Sequence, residues 1–126
     1  MKDDWIYHRG DVYVVDLGSY RGSIQGGKRP AVVMQNDVGN FYSDTMEVVP
    51  LTSSIKKEKQ ETHFMLKDVP FLQKDSMGIG EQPQPVNKNQ ILKFLGRLNT
   101  EQICEVERAL MVEFGISHIP ECTEAP

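Results

Sequence analysis

The chain has 126 residues, of which 39% are hydrophobic and 25% are charged, and its formal net charge is −4. This composition predicts a single globular domain over residues 1–126, with a frayed tail after about residue 119, and excludes a disordered polypeptide. No apolar run is long enough to cross a membrane, and the polar N-terminus does not resemble a signal peptide. We therefore expect a cytoplasmic protein.

Five short segments are rich in Val, Ile, Met, Tyr or Phe and are separated by turn-forming residues, a pattern typical of β-strands. They cover 11–17, 30–35, 46–52, 62–66 and 76–80. Residues 36–45, NDVGNFYSDT, are full of turn formers and predict a loop. Short strands at regular spacing indicate a small closed barrel or a curled sheet.

Residues 87–98 are ambiguous, because Asn87 is suited to cap a short helix over 88–92 while LKFLGRL is suited to a returning strand. The next element is clearer. Asn99 followed by Gln102 forms a capping-box pattern, and Gly115 is a typical C-terminal stop. The apolar face predicted for this helix is formed by Ile103, Val106, Leu110 and Phe114.

The cysteines and histidines give little sign of chemistry. Cys104 and Cys122 form neither a disulfide framework nor a CxxC metal motif, and Cys104, inside the helical pattern, is predicted to be a packed small side chain. His8, His63 and His118 are scattered and have no convincing partners in the sequence. No Walker A, GxGxxG, HExxH or nucleophile-elbow motif occurs, so no cofactor or metal is predicted.

The most informative segment is QGGKRPAVVMQN, residues 25–36. Gly26 and Gly27 allow a tight turn, and Pro30 starts a buried strand directly after Lys28 and Arg29. Although residues 99–126 carry six Glu and one Arg, the segment around this turn is locally basic. An arginine fixed between a glycine turn and a buried strand is suited to bind an anion.

Three blocks, GDVYVVDLG, QGGKRPAVVMQND and VVPLTSSIKK, resemble in order and spacing the MazF/PemK family of toxin endoribonucleases. The resemblance covers roughly residues 10–117. It implies a mainly β fold, a small SH3-like barrel with a C-terminal helix packed on it, and a homodimer. It also implies metal-independent, sequence-specific cleavage of single-stranded mRNA and inhibition by a cognate antitoxin.

The resemblance assigns Arg29 and Thr52 as catalytic residues. An arginine fork stabilises charge on a phosphorane, whereas a threonine hydroxyl is a poor base and is better suited to orient the phosphate or the 2′-oxygen. The general base is not identified. Further residues predicted to contact RNA are Tyr20, Arg21, Ser23, Gln25, Gly26, Gly27, Lys28, Ser53, Lys56, Glu81 and Gln82.

Two departures from the family pattern stand out. The family often has EQIRT where this chain has EQPQP (81–85), so Gln84 replaces an arginine, and Ile24 stands where many relatives have an acidic residue. Two other functions remain open from the sequence. One is a non-catalytic binding module of the same fold, like the CcdB toxins that contact gyrase. The other is a structural barrel whose arginine only forms a salt bridge.

Overall fold

The computed structural model describes residues 3–117, and the predictions for His118, Cys122 and the tail lie outside this range. None of the helices within these residues is long and apolar enough to cross a membrane. A 3-10 turn spans Lys88–Gln90. The strands are β1 Asp11–Asp16, β2 Lys28–Val33, β3 Thr45–Thr52, β4 His63–Leu66, β5 Ser76–Ile79, β6 Gln84–Asn87 and β7 Ile91–Arg97; the helices are α1 Asp37–Tyr42 and α2 Thr100–Phe114.

The strands form one antiparallel sheet in the order β4-β5-β3-β2-β1-β7, and β6 also pairs with β3. Strand β3 has the most pairing partners. Along one edge, its first half pairs with β6 and its end pairs with β5. Its other edge pairs with β2, which in turn pairs with β1. The prediction of a mainly β fold with a C-terminal helix is therefore confirmed.

The two faces of the sheet bury separate apolar clusters, which explains the continuous hydrophobic run of β2. Ala31 and Val33 point into one cluster, whereas Val32 points into the other. Strand β3 alternates in the same way, as expected for a strand that is covered on both faces. One cluster is sealed by α2 through Val106 and Ala109, both fully buried.

Helix α2 begins and ends as predicted. Asn99 accepts a hydrogen bond from Gln102 N at 2.8 Å, and Gly115 closes the helix at φ 67°. Two predictions for its side chains are wrong. Phe114 is 60% exposed, so the buried face of the helix does not extend to its last turn. Cys104 is exposed, since it lies about 200° around the helix from the buried Val106.

Residues 36–45 are only partly a loop, because they contain the short helix α1. Asn36 caps it by accepting from Gly39 N at 2.9 Å. Residues 87–98 adopt both predicted forms, a 3-10 turn after Asn87 and then strand β7. Strand β6 was not predicted, because the prolines of EQPQP argue against a strand; Pro85 is exposed on it.

A buried carboxylate ties β1 to β7. Asp11 is fully buried and accepts hydrogen bonds from Arg97 Nε at 2.6 Å, Tyr13 Oη at 2.7 Å and His8 N at 2.8 Å. Burial and the hydrogen bond to Asp11 raise the pKa of the Tyr13 hydroxyl, so this hydroxyl remains a donor. The three donors satisfy the hydrogen-bonding needs of the buried Asp11 carboxylate. This carboxylate fixes the register of β1 and β7, the strands that it joins.

Candidate active site

The loop between β1 and β2 is closed at its neck by backbone hydrogen bonds. Leu17 N donates to Gly27 O at 2.9 Å, and Gly27 N donates to Gly18 O at 2.7 Å. Gly27 has φ 76°, a conformation that favours glycine. At position 26 glycine is required because there is no room for a side chain: a Cβ there would lie 2.6 Å from Tyr20 N. The structure therefore explains why both positions of the predicted turn are glycine.

This turn holds the Arg29 guanidinium in place. Arg29 Nε donates to Gly26 O at 2.9 Å, and Nη1 makes a long contact of 3.5 Å with Leu51 O. Nη2 donates to the Tyr20 hydroxyl. A guanidinium has five N–H donors, so these three contacts among the described residues leave two for an anion. The side chain is half-buried and reaches solvent.

Thr52 ends strand β3 next to this arginine. Extending the β2–β3 register two residues beyond the Ala31–Pro50 pair sets Thr52 beside Arg29. Thr52 Oγ1 accepts from Ser54 N at 3.1 Å, which fixes the hydroxyl at the start of the following turn. These two residues are far apart in the sequence, and the sheet brings them together.

Arg29 and Thr52 line the same open groove, with a volume of about 760 Å³. Lys28 and Ser53, both predicted to bind RNA, also line it. Other lining residues were not predicted, among them Phe71, Leu72, Lys74 and Lys93. These four come from β7 and from the segment between β4 and β5, and no motif in the sequence marks them. The groove thus combines cations, hydroxyls and an apolar wall.

Comparison with known proteins identifies the family. The model of the PemK-like, MazF-like toxins of type II toxin–antitoxin systems matches residues 8–114. The chain is also 40% identical over 111 residues to "Endoribonuclease MazF" of Staphylococcus epidermidis, covering 87% of this chain and 92% of that protein. The chain belongs to the PemK-like, MazF-like toxin family. The prediction of an enzyme of the endoribonuclease class is confirmed by this relative.

Solved structures agree on the fold. MazF from Deinococcus radiodurans superposes with a TM-score of 0.76 at 20% identity, covering 89% of this chain and 99% of that one. A mycobacterial endoribonuclease in complex with its cognate antitoxin gives a TM-score of 0.75 at 19% identity, covering 90% and 99%. The predicted MazF-like barrel fold with a C-terminal helix is confirmed, although β4 and β7 end the described sheet without pairing to each other.

The residues of the loop between β1 and β2 that were predicted to contact RNA fall into two groups. Some are exposed to solvent, and others are held by hydrogen bonds. Arg21 and Ser23 are exposed at the loop tip, which a bridge between Arg21 and Ile24 closes. Gln25 N donates to Gln82 Oε1 at 2.8 Å, and Gln82 Nε2 donates to Ser23 O at 2.8 Å. Both ends of the Gln82 amide thus hold the loop, whereas the loop tip is open to solvent.

The departure at EQPQP has a structural explanation. Gln84 is buried on β6, where it pairs with Val48, and its Nε2 donates to Gln25 O at 3.3 Å. The glutamine side chain therefore helps to hold the loop between β1 and β2 through this hydrogen bond, and it adds no charge to the groove. Ile24, the other departure, is 39% exposed at the loop tip.

Glu81 belongs to a polar cluster that the sequence did not reveal. Glu81 Oε2 lies 2.9 Å from His63 Nε2 and 3.1 Å from Gln60 Nε2, and Thr62 Oγ1 donates to Oε1 at 3.2 Å. Burial would raise the pKa of Glu81, but the hydrogen bonds from His63 and Thr62 and from its own backbone hold it below the ordinary value. His63, which is buried, thus has a partner, contrary to the sequence prediction.

The same histidine orders the lysine-rich loop before β4. His63 Nδ1 lies 2.8 Å from Lys57 O, which as a carbonyl must accept, so Nδ1 is the donor. Lys57 has φ 54°, a strained value that this contact helps to maintain. Lys56, predicted to bind RNA, is exposed in this loop and does not line the groove. Residues 3–117 contain no cluster of His, Cys, Asp and Glu that is able to hold a metal ion.

Proposed function

We propose that this toxin cleaves single-stranded mRNA at specific sequences, with the 2′-hydroxyl next to the scissile phosphate as nucleophile. The observation that carries the proposal is the Arg29 guanidinium, held by Gly26, Leu51 and Tyr20 at an open groove that Thr52 also lines. The S. epidermidis relative, named an endoribonuclease, supports the same reaction class.

The proposed reaction needs no metal, because the substrate supplies its own nucleophile. The 2′-oxygen forms a bond to phosphorus while the bond from phosphorus to the 5′-oxygen breaks. The 2′-hydroxyl loses a proton and the 5′-oxygen gains one, which leaves a 2′,3′-cyclic phosphate and a 5′-hydroxyl end. The protein contributes by positioning the two groups and by stabilising the charge that develops on the phosphorane oxygens.

In this scheme Arg29 is the charge stabiliser. Its two remaining N–H donors match two phosphate oxygens, and a guanidinium is a planar cation whose fork of donors fits phosphate. The hydroxyl of Thr52 orients the scissile phosphate or the 2′-oxygen by a hydrogen bond. Tyr20 and Gly26 position the guanidinium and leave its charge unchanged.

The groove also suggests how the toxin is inhibited. A cognate antitoxin with an acidic segment, disordered before binding, would cover Lys28, Arg29 and the neighbouring cations and exclude RNA. We further propose that the toxin works as a homodimer in the cytoplasm, where mRNA is available. A mixture of toxin and antitoxin that still cuts RNA at the full rate would contradict this mode of inhibition.

The activity is tested with a long single-stranded RNA in EDTA. We expect the wild type to cut this RNA and to leave a DNA copy intact. Arg29→Ala should lower the cleavage rate by about 10²–10³, the usual cost of losing such a stabiliser. Arg29→Lys keeps the charge but loses the fork, so it should remain strongly impaired. Thr52→Val preserves the side-chain shape and tests the hydroxyl alone.

The ends of the products test the mechanism. A 2′,3′-cyclic phosphate and a 5′-hydroxyl are expected, and a 5′-phosphate would contradict attack by the 2′-hydroxyl. If the RNA stays intact under all conditions, the nuclease proposal is wrong. That result would favour a non-catalytic toxin that acts by protein contact on the same fold.

A further inference from the structure

The groove at Arg29 has a second wall, formed by Phe71, Leu72, Lys74 and Lys93, which we call the Phe71 wall. Phe71 packs so closely on β7 that a Cβ added at Gly96 would lie 2.3 Å from its ring. Phe71 and Leu72 are half-buried and pack on a core cluster. The apolar part of this wall is therefore fixed before any ligand arrives.

The segment that carries the wall is also ordered by its own hydrogen bonds. Asp68 N donates to Asp75 Oδ1 at 3.0 Å, and Leu72 N donates to Val69 O at 3.0 Å. Ser76 Oγ donates to Lys74 O at 3.1 Å. These bonds join the two ends of the segment and order its interior, so Phe71 and Lys74 are presented together.

The charge of the groove differs from that of the whole chain. Its described lining includes the cations Lys28, Arg29, Lys74 and Lys93 but no aspartate or glutamate, whereas the chain has a net charge of −4. Lys74 and Lys93 are exposed beside the apolar pair. An apolar surface with cations beside it is suited to a base and its phosphate.

We propose that the Phe71 wall binds a nucleotide next to the scissile phosphate, with the base on Phe71 and Leu72 and the backbone phosphate on Lys74 and Lys93. This inference rests on the proposed function, because it takes RNA as the ligand of the groove. It assigns to these residues binding of substrate and no part in the chemical step. A volume of about 760 Å³ leaves room for such a nucleotide beside Arg29.

Binding is measured with a single-stranded RNA that carries a 2′-deoxy nucleotide at the cleavage site, so that binding is separated from cleavage. The dissociation constant is followed against salt for the wild type and for Lys74→Ala/Lys93→Ala. Each lysine that contacts a phosphate contributes about 0.7 to the slope of log K against log salt. We expect the slope to fall by about 1.4 in the double variant.

A control variant, Lys67→Ala/Lys88→Ala, removes the same charge outside the groove lining and should leave the slope unchanged. Equal slopes for the wild type and both double variants would overturn the inference. An equal decrease in both variants would overturn it too, because it would reflect net charge alone. Neither result would affect the cleavage proposal, which the EDTA assay on wild-type protein decides.

The base contact is tested separately with Phe71→Leu, which keeps an apolar side chain against Gly96. Stacking of a base on an aromatic ring is worth roughly 5- to 150-fold in affinity, so the dissociation constant should rise at least about fivefold. An unchanged melting temperature shows that the wall is intact. Unchanged affinity in a folded Phe71→Leu variant would contradict the base contact.

Discussion

Gly26→Ala is the sharpest test of how the turn holds the site. A Cβ at this position would lie 2.6 Å from Tyr20 N, 2.7 Å from Ser19 C and 2.8 Å from Gly18 O. All three are backbone atoms, so no side-chain rotation relieves the clash. The loop between β1 and β2 must open for the methyl group to fit.

Opening the loop acts on the guanidinium through two contacts. Gly26 O accepts from Arg29 Nε, and Tyr20 Oη accepts from Nη2. Overpacking of this kind costs about 1–3 kcal/mol, which for a domain of this size lowers the melting temperature by roughly 4–12 °C. A displacement of about 1 Å at a catalytic group lowers the rate on the order of 10²-fold. We therefore expect a large loss of cleavage and a moderate loss of stability.

The matched control is Gly22→Ala in the same loop. Gly22 has φ 61° and no atom within 4 Å of an added Cβ, so the change should cost only about 1 kcal/mol for the left-handed conformation. Single-turnover cleavage and thermal unfolding are measured for both variants. If Gly26→Ala keeps the wild-type rate and melting temperature, the turn does not position Arg29.

Three other changes have defined outcomes. Tyr20→Phe removes one acceptor of Arg29 and should lower kcat/KM about five- to tenfold with little change in melting temperature. Glu81 has a lowered pKa, so its stabilising effect is present above its ordinary value of 4.5 and is lost as the pH falls below it. The unfolding free-energy difference between wild type and Glu81→Gln should therefore shrink from pH 6 to pH 3. Asp11→Ala removes the acceptor of three hydrogen bonds and should cost about 3 kcal/mol in urea unfolding.

Each of these changes also has a result that would contradict its reasoning. Equal cleavage by Tyr20→Phe would mean that the hydroxyl does not orient the guanidinium. A pH-independent difference for Glu81→Gln would mean that ionisation of this carboxylate does not stabilise the fold. A loss below about 1 kcal/mol for Asp11→Ala would mean that the buried carboxylate is replaceable by water.

The strands that were predicted from the sequence share a clear local signal. The run from Ala31 to Val33 is apolar on both faces, and the sheet buries it on both faces. Helix α2 was predicted because its caps, Asn99 and Gly115, bracket a periodic segment. In these elements local preference and tertiary packing agree. The MazF/PemK resemblance rested on the same blocks, and the comparisons confirmed it.

The elements that were missed have conflicting local signals. Strand β6 contains Pro85, which is tolerated because the residue is exposed on the strand. Helix α1 is built from turn formers, and its six residues depend on the Asn36 cap. The exposed Phe114 shows the reverse error, since helical spacing marks one face of the helix but does not tell how much of that face is covered.

The sequence by itself determined five of the seven described strands, the last helix, the family and the glycine turn before Arg29, because each depends on neighbouring residues or on a short motif. Only the tertiary structure decided which distant side chains share the groove. Strand pairing and loop packing bring Phe71 and Lys93 to the groove that Arg29 lines, and His63 on β4 contacts Glu81, which follows β5. Such contacts depend on long-range strand order, which no local pattern encodes.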